Sequence, residues 1–493
     1  MKHEMTHRTI WLFFVTLLAV SQGCTFYHPK PLDERAAKES LEAPDKDRIR
    51  VQARELKHPI LKPIDLDLAK GLTPGGAAVL AVLANPALKA ARDKKGVADA
   101  QLFQAGIFSN PQLSYNLDFP TWANTQGAVN AYGVSVSDDI TSLFTGGPQV
   151  DAARAEAKSV DLDIAWQEWQ MALAARAHVY NLTFLRELAA TAQNQEQALQ
   201  ENLATMQKAF DSGDVTEVDR TAAQAALDKA HNTLLVARQQ YEQERLSLNQ
   251  SIGFPPDMKV SLRAEPLPSI EHFPSLEEMM EGLEARRLDL VALKLGYKSE
   301  EARLRGAILA QFPSLVFGVS RARDTTPVGT TGFSISLPIP VFDRNQGRIA
   351  IEKATRAQLF DEYMARLFEA RSTIATTLAD LRSMEEQVDA AEQSIPVAGK
   401  LVETYRIALL EGHADVITYY SALGDLFARQ MDLLNLKKDL CNRAIALEVA
   451  SGQFFLPGEA AIRRGGSASE EPAHLGEPAR DPAIDAATKG VPR

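Results

Sequence analysis

The chain has 493 residues, 45% of them hydrophobic but only 7% aromatic, and its formal net charge is −11. The acidic balance argues against a nucleic-acid partner, and the presence of only two cysteines, more than 400 positions apart, argues against a disulfide framework. Few aromatic residues combined with abundant alanine favour helices that pack closely along their length over a thick globular core.

The N-terminus carries a predicted signal peptide over residues 1–23. A basic start precedes the apolar run IWLFFVTLLAV (10–20), which is too short to span a membrane, and small residues follow it. Cys24, directly after a glycine, resembles the lipobox of lipoproteins, in which the cysteine becomes the lipidated, palmitate-bearing first residue. Ser21 stands where a lipobox usually has leucine, so ordinary secretion with an unmodified cysteine is the alternative.

After residue 24 no stretch reaches the ~18 apolar residues that a transmembrane helix needs. The mature chain therefore either stays outside the lipid or crosses a membrane as β-strands. Three segments lack the periodicity of regular elements. They are predicted to be a lipid-anchored extended segment at 24–71, a proline-rich connector at 254–274 and a disordered tail at 457–493.

A tandem duplication is indicated by matches that occur in one order at a nearly constant offset. Residues 98–118 match 300–320 at an offset of 202, with alanine, leucine and proline at shared positions. Residues 209–219 likewise match 408–418. The two predicted copies span 72–253 and 275–456.

Each copy is predicted to follow the order helix, strand, strand, long helix, shorter helix. In the first copy these elements lie near 75–109, 112–119, 131–140, 147–211 and 215–252. In the second copy they lie near 275–310, 314–322, 331–341, 344–410 and 414–451. The fold class is therefore expected to be mainly α with a small β part.

The predicted strands alternate apolar and polar residues. In the first, Leu113, Tyr115 and Leu117 alternate with Ser114 and Asn116. Such alternation over about ten residues is typical of outer-membrane β-barrels, although a sheet that covers a soluble core alternates in the same way. The export signal and the long helices favour the barrel. Because the smallest such barrels have ~8 strands, the chain must oligomerise: two copies would give eight strands and three copies twelve.

The long helices carry seams that are partly heptad. Leu426, Leu433, Leu440 and Leu447 recur every seven residues, a spacing that pairs neighbouring helices in left-handed coiled coils. A helix of about 65 residues is roughly 100 Å long. Leucine and alanine at helical spacing form cores, so no cofactor site is inferred from them.

The segment SISLPIPVFDRNQG (334–347) is predicted to join a strand to a long helix. The residues expected to shape this junction are Pro338, Pro340, Asp343, Asn345 and Gly347. The prolines lack the backbone donors that sheet pairing needs, so pairing should end there. The aspartate or the asparagine can cap the following helix, and the glycine allows close packing at the bend.

The long helices are predicted to reverse at DSGDVTEVD and LEGHADVIT. Gly213 and Gly412 suit left-handed C-caps, and Thr216 and Asp415 suit the N-caps of the returning helices. The reversals are either ordinary helical hairpins or the exposed tips of a tube.

The export signal with Cys24, the duplicated helix–strand–strand–helix plan and LPIPVFDRNQG together resemble the TolC-type outer-membrane efflux channels over roughly residues 72–455. LPIPVFDRNQG is most similar to the heavy-metal branch, the CzcC-like proteins. The resemblance implies a homotrimer with a 12-stranded barrel in the outer membrane and a long α-helical tunnel in the periplasm. It also implies three partners: outer-membrane lipid, a periplasmic adaptor protein and an inner-membrane RND-type pump.

The family's hairpin tips carry a Gly-x-x-Ser/Thr-x-x-Asp/Glu pattern that meets the adaptor. Gly213, Thr216 and Asp219 match this pattern, whereas the second tip has Asp415 and Thr418 after its glycine. The resemblance further implies a closed periplasmic end made of charged and aromatic side chains near the tips. The candidates by position are Glu403, Tyr405, Arg406, Glu411 and Asp415. A solvated helix face is the alternative for each.

The leading hypothesis is a passive exit duct of a tripartite efflux system, with heavy-metal cations as cargo. A multidrug or organic-compound channel of the same family is the alternative, and a non-conducting periplasmic coiled-coil scaffold lipoprotein is a further one. No catalytic, cofactor or metal site is inferred, because the nine histidines do not cluster at ligand spacing and Cys441 lies in a heptad helix. The partner pump would supply the energy.

Overall fold

The structure is a computed structural model. It describes residues 26–42, 44–58, 61–122, 127–263, 274–326 and 328–454. The predicted signal peptide, Cys24, the predicted tail and half of the predicted connector lie outside the described residues. The chain divides into two compact units, Met1–Pro44 and Asp45–Arg493. In the first unit, helix α1 (Glu34–Ser40) is capped by Asp33, whose Oδ1 accepts from the backbone N of Arg35 at 3.0 Å.

The second unit contains long helices and one antiparallel sheet of four strands. Its helices are α2 (Lys46–Arg54), the 3-10 turn Leu68–Lys70, α3 (Pro74–Ala84), α4 (Pro86–Ala105), α5 (Ser142–Ser212), α6 (Glu217–Ser251), α7 (Leu276–Met280), α8 (Leu283–Arg286), α9 (Leu288–Leu309), α10 (Gln346–Leu410) and α11 (Val416–Ser451). Its strands are β1 (Gln112–Asp118), β2 (Ala131–Asp139), β3 (Val316–Arg323) and β4 (Gly329–Ser336). The predicted fold class, mainly α with four strands, is confirmed. Among the helices of the described segments, none is long and apolar enough to cross a membrane.

The first predicted helix of each copy is interrupted. α3 ends and α4 begins at Asn85, because Pro86 cannot donate the hydrogen bond that a continuous helix needs. Asn85 Oδ1 accepts from the backbone N of Ala87 at 2.8 Å, and its Nδ2 donates to the carbonyl of Ser251 at 2.8 Å. The break is therefore fastened to the end of α6. In the second copy, three helices, α7, α8 and α9, replace the single predicted helix.

The N-terminal segment and the connector contribute to a core, which the sequence did not predict. Leu61, Leu66 and Phe254 are buried in one cluster with residues of α3 and α5. The backbone N of Leu72 donates to the carbonyl of Ser261 at 2.8 Å, so the two segments lie side by side. The prediction of an extended segment at 24–71 is therefore wrong. The segment holds the helices α1 and α2, and its second half packs against other helices of the second unit.

A second core lies where α5 meets α9, α10 and α11. It includes Trp166 and Trp169 of α5 together with Leu447 of α11. Arg176 of α5 and Glu448 of α11 form an ion pair at 2.9 Å in which both side chains are fully buried. This core joins the first half of the chain to the second.

The sheet also joins the two halves. Its order is β1-β2-β3-β4, with every neighbouring pair antiparallel. β2 ends the first strand pair and β3 begins the second, and their register places Val136 opposite Val319. β2 and β3 are therefore neighbours in the sheet, although the helices α5 to α9 come between them in the sequence.

Candidate functional site

One face of the sheet is apolar and exposed. Directly opposite residues of antiparallel strands share a face, and the register aligns Leu113 with Val136, Val136 with Val319 and Val319 with Phe333. Leu113 is 71% exposed and Phe333 is 77% exposed. Further exposed apolar residues of this face are Tyr115, Leu117, Val134, Phe317 and Ile335. A contiguous apolar patch of this kind indicates contact with lipid or with another protein.

The opposite face is mostly polar and rich in small residues, with Val316 as an apolar exception. Ser114 pairs with Ser135, and Ser135 pairs with Ser320. A Cβ added at Gly133 would collide with the side chain of Asn116, so glycine is needed for the asparagine to lie across the strand. The predicted alternation of apolar and polar faces is therefore present in all four strands.

Sheet pairing ends earlier than predicted at the junction between β4 and α10. β4 stops at Ser336, which pairs with Val316, whereas the sequence predicted a strand to residue 341. Pro338 and Pro340 follow the strand in an irregular segment. Because neither proline can donate to a ladder, they prevent the strand from continuing.

The predicted side-chain cap of α10 is wrong. Asn345 occupies the N-cap position with a φ of 61°, in the left-handed region, and its side chain makes no capping hydrogen bond. Instead, Asn345 Nδ2 donates to the carbonyl of Ala307 at 2.7 Å, and Asp343 Oδ1 accepts from the backbone N of Asn345 at 2.8 Å. These two residues therefore shape a tight turn and fasten it to the end of α9. Asparagine tolerates this conformation better than most other side chains.

Gly347 does not pack closely against any part of its own chain that the structure describes. A Cβ added there would meet nothing within 4 Å, and the same is true of Gly146 and Gly147 at the corresponding passage of the first copy. The predicted close packing at Gly347 is therefore not seen within the described part of the chain. Exposed apolar residues surround the junction; they include Phe312, Leu337, Ile339, Val341 and Phe342.

The first helical reversal has the predicted caps. Gly213 ends α5 with a φ of 80°. Thr216 begins α6 with a capping box: Thr216 Oγ1 accepts from the backbone N of Asp219 at 3.3 Å, and Asp219 Oδ2 accepts from the backbone N of Thr216 at 2.9 Å. The three residues that match the family's tip pattern therefore close the hairpin by satisfying backbone groups at the helix ends.

In the second reversal the aspartate is the N-cap residue and the threonine follows three positions later, which is the reverse of the order at the first reversal. Gly412 has a φ of 75°, and Asp415 is the N-cap of α11. Asp415 Oδ1 accepts from the backbone N of Thr418 at 2.7 Å, and Thr418 Oγ1 donates to Asp415 Oδ2 at 2.9 Å. These hydrogen bonds from Thr418 lower the pKa of Asp415. The second tip thus departs from the sequence pattern but keeps its capping chemistry.

The candidate gate residues lie near the second tip. Arg406 Nε and Nη2 donate to the carboxylate of Glu403 at 2.8 and 2.7 Å, and this hydrogen bonding lowers the pKa of Glu403. Tyr405 is half buried and Glu411 is exposed. Asp415, the fifth candidate, is the N-cap of α11. Within the protomer the structure therefore brings together two of the five candidates, Glu403 and Arg406.

A buried pair of carboxyl groups was not predicted from the sequence. Glu300 of α9 is 1% exposed and Glu352 of α10 is 4% exposed. Arg303 lies 3.7 Å from Glu300, and Arg348 pairs with Glu352. Burial, followed by the hydrogen bond and charge of Glu352, raises the pKa of Glu300 to about 7. In the sequence both residues look like ordinary surface glutamates of long helices, so no local pattern could have revealed the pair.

A second buried charge cluster fixes the N-terminal segment to α5. The Nδ1 atom of His58 accepts from the backbone N of Leu61 at 3.1 Å, which leaves Nε2 as the donor to Glu168 at 2.8 Å. Arg92 Nε also donates to Glu168, at 2.6 Å. Burial opposes ionisation of Glu168, but the hydrogen bonds from His58 and Arg92, together with the charge of Arg92, lower its pKa. Within the described segments, no group of three or more His, Cys, Asp or Glu residues is placed to hold a metal ion.

Known proteins resemble this chain over most of its length. BepC of Brucella suis biovar 1 (strain 1330), an outer membrane efflux protein, is 22% identical over 392 residues, which are 77% of this chain and 85% of BepC. The solved structure of CusC, a protein studied for transmembrane channel formation, has a TM-score of 0.66 at 16% identity and covers 83% of this chain and 98% of CusC. The solved structure of the Campylobacter jejuni CmeC outer membrane channel has a TM-score of 0.67 at 16% identity and covers 87% of this chain and 94% of CmeC.

The likeness to CusC and CmeC concerns the fold. A family model gives the relationship itself: residues 78–254 and 280–453 match the family described as outer membrane efflux protein. The two matched segments hold the two strand pairs and the two tips. The chain therefore belongs to the outer membrane efflux protein family, as its resemblance to the TolC-type channels predicted.

Proposed function

We propose that the chain is the outer-membrane channel of a tripartite efflux system and acts as a passive exit duct. The four-stranded sheet with an exposed apolar face carries this proposal. β1 and β4 are its outermost strands, so within the described residues each has one edge without a partner strand. In lipid, every backbone donor and acceptor on such an edge must be paired. β4 of one copy can pair with β1 of the next, and three copies, each contributing two strands from 72–253 and two from 275–456, would close a 12-stranded barrel.

An apolar stripe on α10 supports the homotrimer independently. Phe360, Met364 and Phe368 recur every four residues, so they lie on one side of the helix. They are 53%, 46% and 74% exposed in the protomer. Because these side chains are already partly buried, burial of their remaining exposed surface would contribute roughly 1 kcal/mol each. Three copies that bury this stripe against their neighbours would surround a helical tunnel on the periplasmic side.

The two tips are the proposed contacts for a periplasmic adaptor, which would connect the channel to an inner-membrane RND-type pump. Val218 and Ile417 occupy the same position, the second residue of the returning helix, and are 62% and 54% exposed. An exposed aliphatic side chain on a firmly capped turn offers a partner an apolar anchor. Glu403, Tyr405, Arg406 and Glu411 are the proposed gate, which would open when the adaptor engages.

Heavy-metal cations are the proposed cargo, and the similarity of LPIPVFDRNQG to the CzcC-like branch supports them. A strain that lacks this chain should become sensitive to divalent heavy-metal salts while its tolerance of organic toxic compounds is unchanged. The opposite pattern would favour the multidrug alternative.

Lipidation of Cys24 after removal of residues 1–23 is proposed from the sequence. Mass spectrometry of the mature N-terminus should find a diacylglycerol-modified, palmitoylated cysteine at position 24. An unmodified cysteine would support ordinary secretion instead.

The channel itself is tested by recording from planar bilayers that contain the purified full-length protein. We expect a trimer that resists dissociation by detergent without heating and that conducts ions after insertion. A trimer that inserts yet never conducts, even with adaptor present, would contradict the exit duct and support the scaffold alternative.

A further inference from the structure

Two arginines lie on the apolar face of the sheet, at the end remote from the long helices. Arg321 pairs with Val134 on one side and Thr331 on the other, and Arg323 pairs with Tyr132. Since opposite residues share a face, both arginines lie on the same side of the sheet as the exposed apolar residues. β3 ends at Arg323, directly before the loop that leads to β4.

Arg321 is exposed and forms no ion pair or side-chain hydrogen bond with any residue in the described part of the chain. Asp138, an acid on the same face, is level with Phe317, about 14 Å along the strand from Arg321. Asp118 lies on the opposite face, because it pairs in register with Ala131. A guanidinium group on a lipid-facing surface is costly unless it reaches an interface or a counter-ion.

Arg323 is held in place beside Arg321. Its guanidinium lies 5.1 Å from the centre of the Tyr132 ring, and its Nη2 donates to the carbonyl of Asn130 at 2.9 Å. The two arginines are two residues apart on one strand, or roughly 7 Å, so their charges repel each other. An anion that contacts both would remove this repulsion.

We propose that Arg321 and Arg323 bind the phosphate groups of a phosphorylated lipid in the outer leaflet of the outer membrane. The inference rests on the proposed function, which places the helices in the periplasm and hence this end of the sheet at the outer surface. A guanidinium group binds phosphate oxygens through two parallel hydrogen bonds.

The surroundings of the arginines suit such a lipid. The apolar row formed by Val136, Val319 and Phe333 lies on the helix side of Arg321, where acyl chains would extend from the bound phosphates. Trp122, in the loop that follows β1, is 91% exposed. Tryptophan is enriched at membrane interfaces, so this end of the sheet has both an aromatic and a cationic contact for the headgroup region.

The test uses the full-length protein, purified as an assembled trimer in mild detergent and titrated with lipid A that carries two phosphates. The variants are Arg321→Gln, Arg321→Lys and the double variant Arg321→Gln/Arg323→Gln. Arg382→Gln is the matched control, because Arg382 is an exposed arginine of α10 for which no ion pair is seen among the described residues. We expect Arg321→Gln to weaken binding at least fivefold, the double variant to weaken it further, Arg321→Lys to retain part of it, and the control to bind as the natural protein does.

Dephosphorylated lipid A and inorganic phosphate identify the ligand chemistry. The lipid without phosphate should bind the natural protein as weakly as the double variant binds the phosphorylated lipid, and equimolar inorganic phosphate should not compete. Equal binding of both lipids, or unchanged binding by the double variant, would overturn the inference. If the trimers conduct and only lipid binding fails, the lipid site alone is wrong. If no trimer assembles, the proposed function is wrong and the lipid site with it.

Discussion

At the scale of single residues, buried charge is concentrated where long helices meet. Arg176 and Glu448 join α5 to α11 with both side chains fully buried. Glu300 and Glu352 join α9 to α10, and they do so as two acids. An ion pair and an acid pair respond differently to pH, because the acid pair is stable only while it holds a proton. Each pair therefore leads to its own prediction.

Replacing Glu300 should remove a pH dependence. The pKa of Glu300 is raised to about 7 from the ~4.3 expected of an unfolded chain, so its contribution to stability is fully present below about pH 4 and is lost as the pH rises to about 7. In Glu300→Gln the side chain stays neutral and can donate to Glu352. The thermal unfolding midpoint of the natural protein should therefore decrease relative to that of the variant as the pH is raised from 4.5 to 7.5. The control is Glu301→Gln, which removes an exposed ion pair with Arg356. Its thermal unfolding midpoint should depend on pH as that of the natural protein does.

Breaking the buried ion pair should be strongly destabilising. Glu448→Ala leaves Arg176 charged in a buried site, and the removal of one partner from such a pair costs about 3–5 kcal/mol. Urea denaturation followed by circular dichroism measures the loss. The control is Glu392→Ala, which removes an exposed pair with Lys437 and should change the free energy of unfolding little. Equal effects of the two substitutions would show that the burial of Glu448 has no energetic consequence.

At the scale of elements, the ends of helices carry most of the specific chemistry. The capping box of Thr216 predicts that Thr216→Ala destabilises the start of α6 by about 0.5–2 kcal/mol. Hydrogen exchange of the amides at 217–222 should become faster, whereas Thr233→Ala, in the middle of α6, should leave these amides unchanged. Thr216→Ser should restore protection, because serine caps equally well. Failure of serine to do so would exclude capping as the role of the hydroxyl group.

The turn before α10 gives a second prediction for an element. Asn345 has a φ of 61°, a conformation that a β-branched side chain adopts only under strain. Asn345→Val should lower the free energy of unfolding by roughly 1–3 kcal/mol. Asn345→Gly should cost less, since glycine accepts the conformation and loses only the hydrogen bond to Ala307. If glycine is the worse of the two, backbone strain at residue 345 is not the determining factor.

The elements also show which parts of the fold the sequence could predict. The four strands and the two long hairpins were predictable because alternation, heptads and capping residues are local patterns. The packing of Leu61 and Leu66 against Phe254 was not, because these residues are nearly 200 positions apart in segments without periodicity. The side chain of Asn345 was misassigned for a related reason. Its partner, the carbonyl of Ala307, lies in a different helix. An asparagine at an N-cap position can cap its own helix or bond to a distant group, and the local sequence does not distinguish the two.

At the scale of the whole molecule, the apolar stripe of α10 and the sheet edges that have no partner strand in the described residues are the two surfaces through which the proposed trimer would assemble. The sheet edges supply backbone hydrogen bonds, and the stripe supplies apolar contact. The two regions lie at different levels of the chain, one in the strands and one in the helices. Assembly through both would make the trimer resistant to dissociation even when one region is weakened.

Phe368→Glu tests the helical part of the interface. Phe368 is 74% exposed in the protomer, so the substitution should not affect the folding of one chain, but it would bury a charge in the proposed trimer. The proportion of heat-sensitive trimer in detergent should rise several-fold. Glu369→Gln, at the next residue and 72% exposed in its side chain, is the control. Unchanged trimers in Phe368→Glu would place the interface on another face of α10.

The polar face of the sheet has acidic residues at both ends and none between them. Asp139 is level with Val316 near the helices, and Asp118 is level with Ala131 at the far end, about 27 Å away along the strands. The residues between them on this face are uncharged: serine, glycine, asparagine, glutamine, alanine and threonine. In the proposed trimer, each mouth of the barrel would carry three carboxylates. Because their field decays over about 8 Å in physiological salt, cations would be concentrated at both mouths while the middle would offer them no fixed charge. A cation that passes through the proposed barrel would therefore meet fixed charge at the two mouths and none on the wall between them.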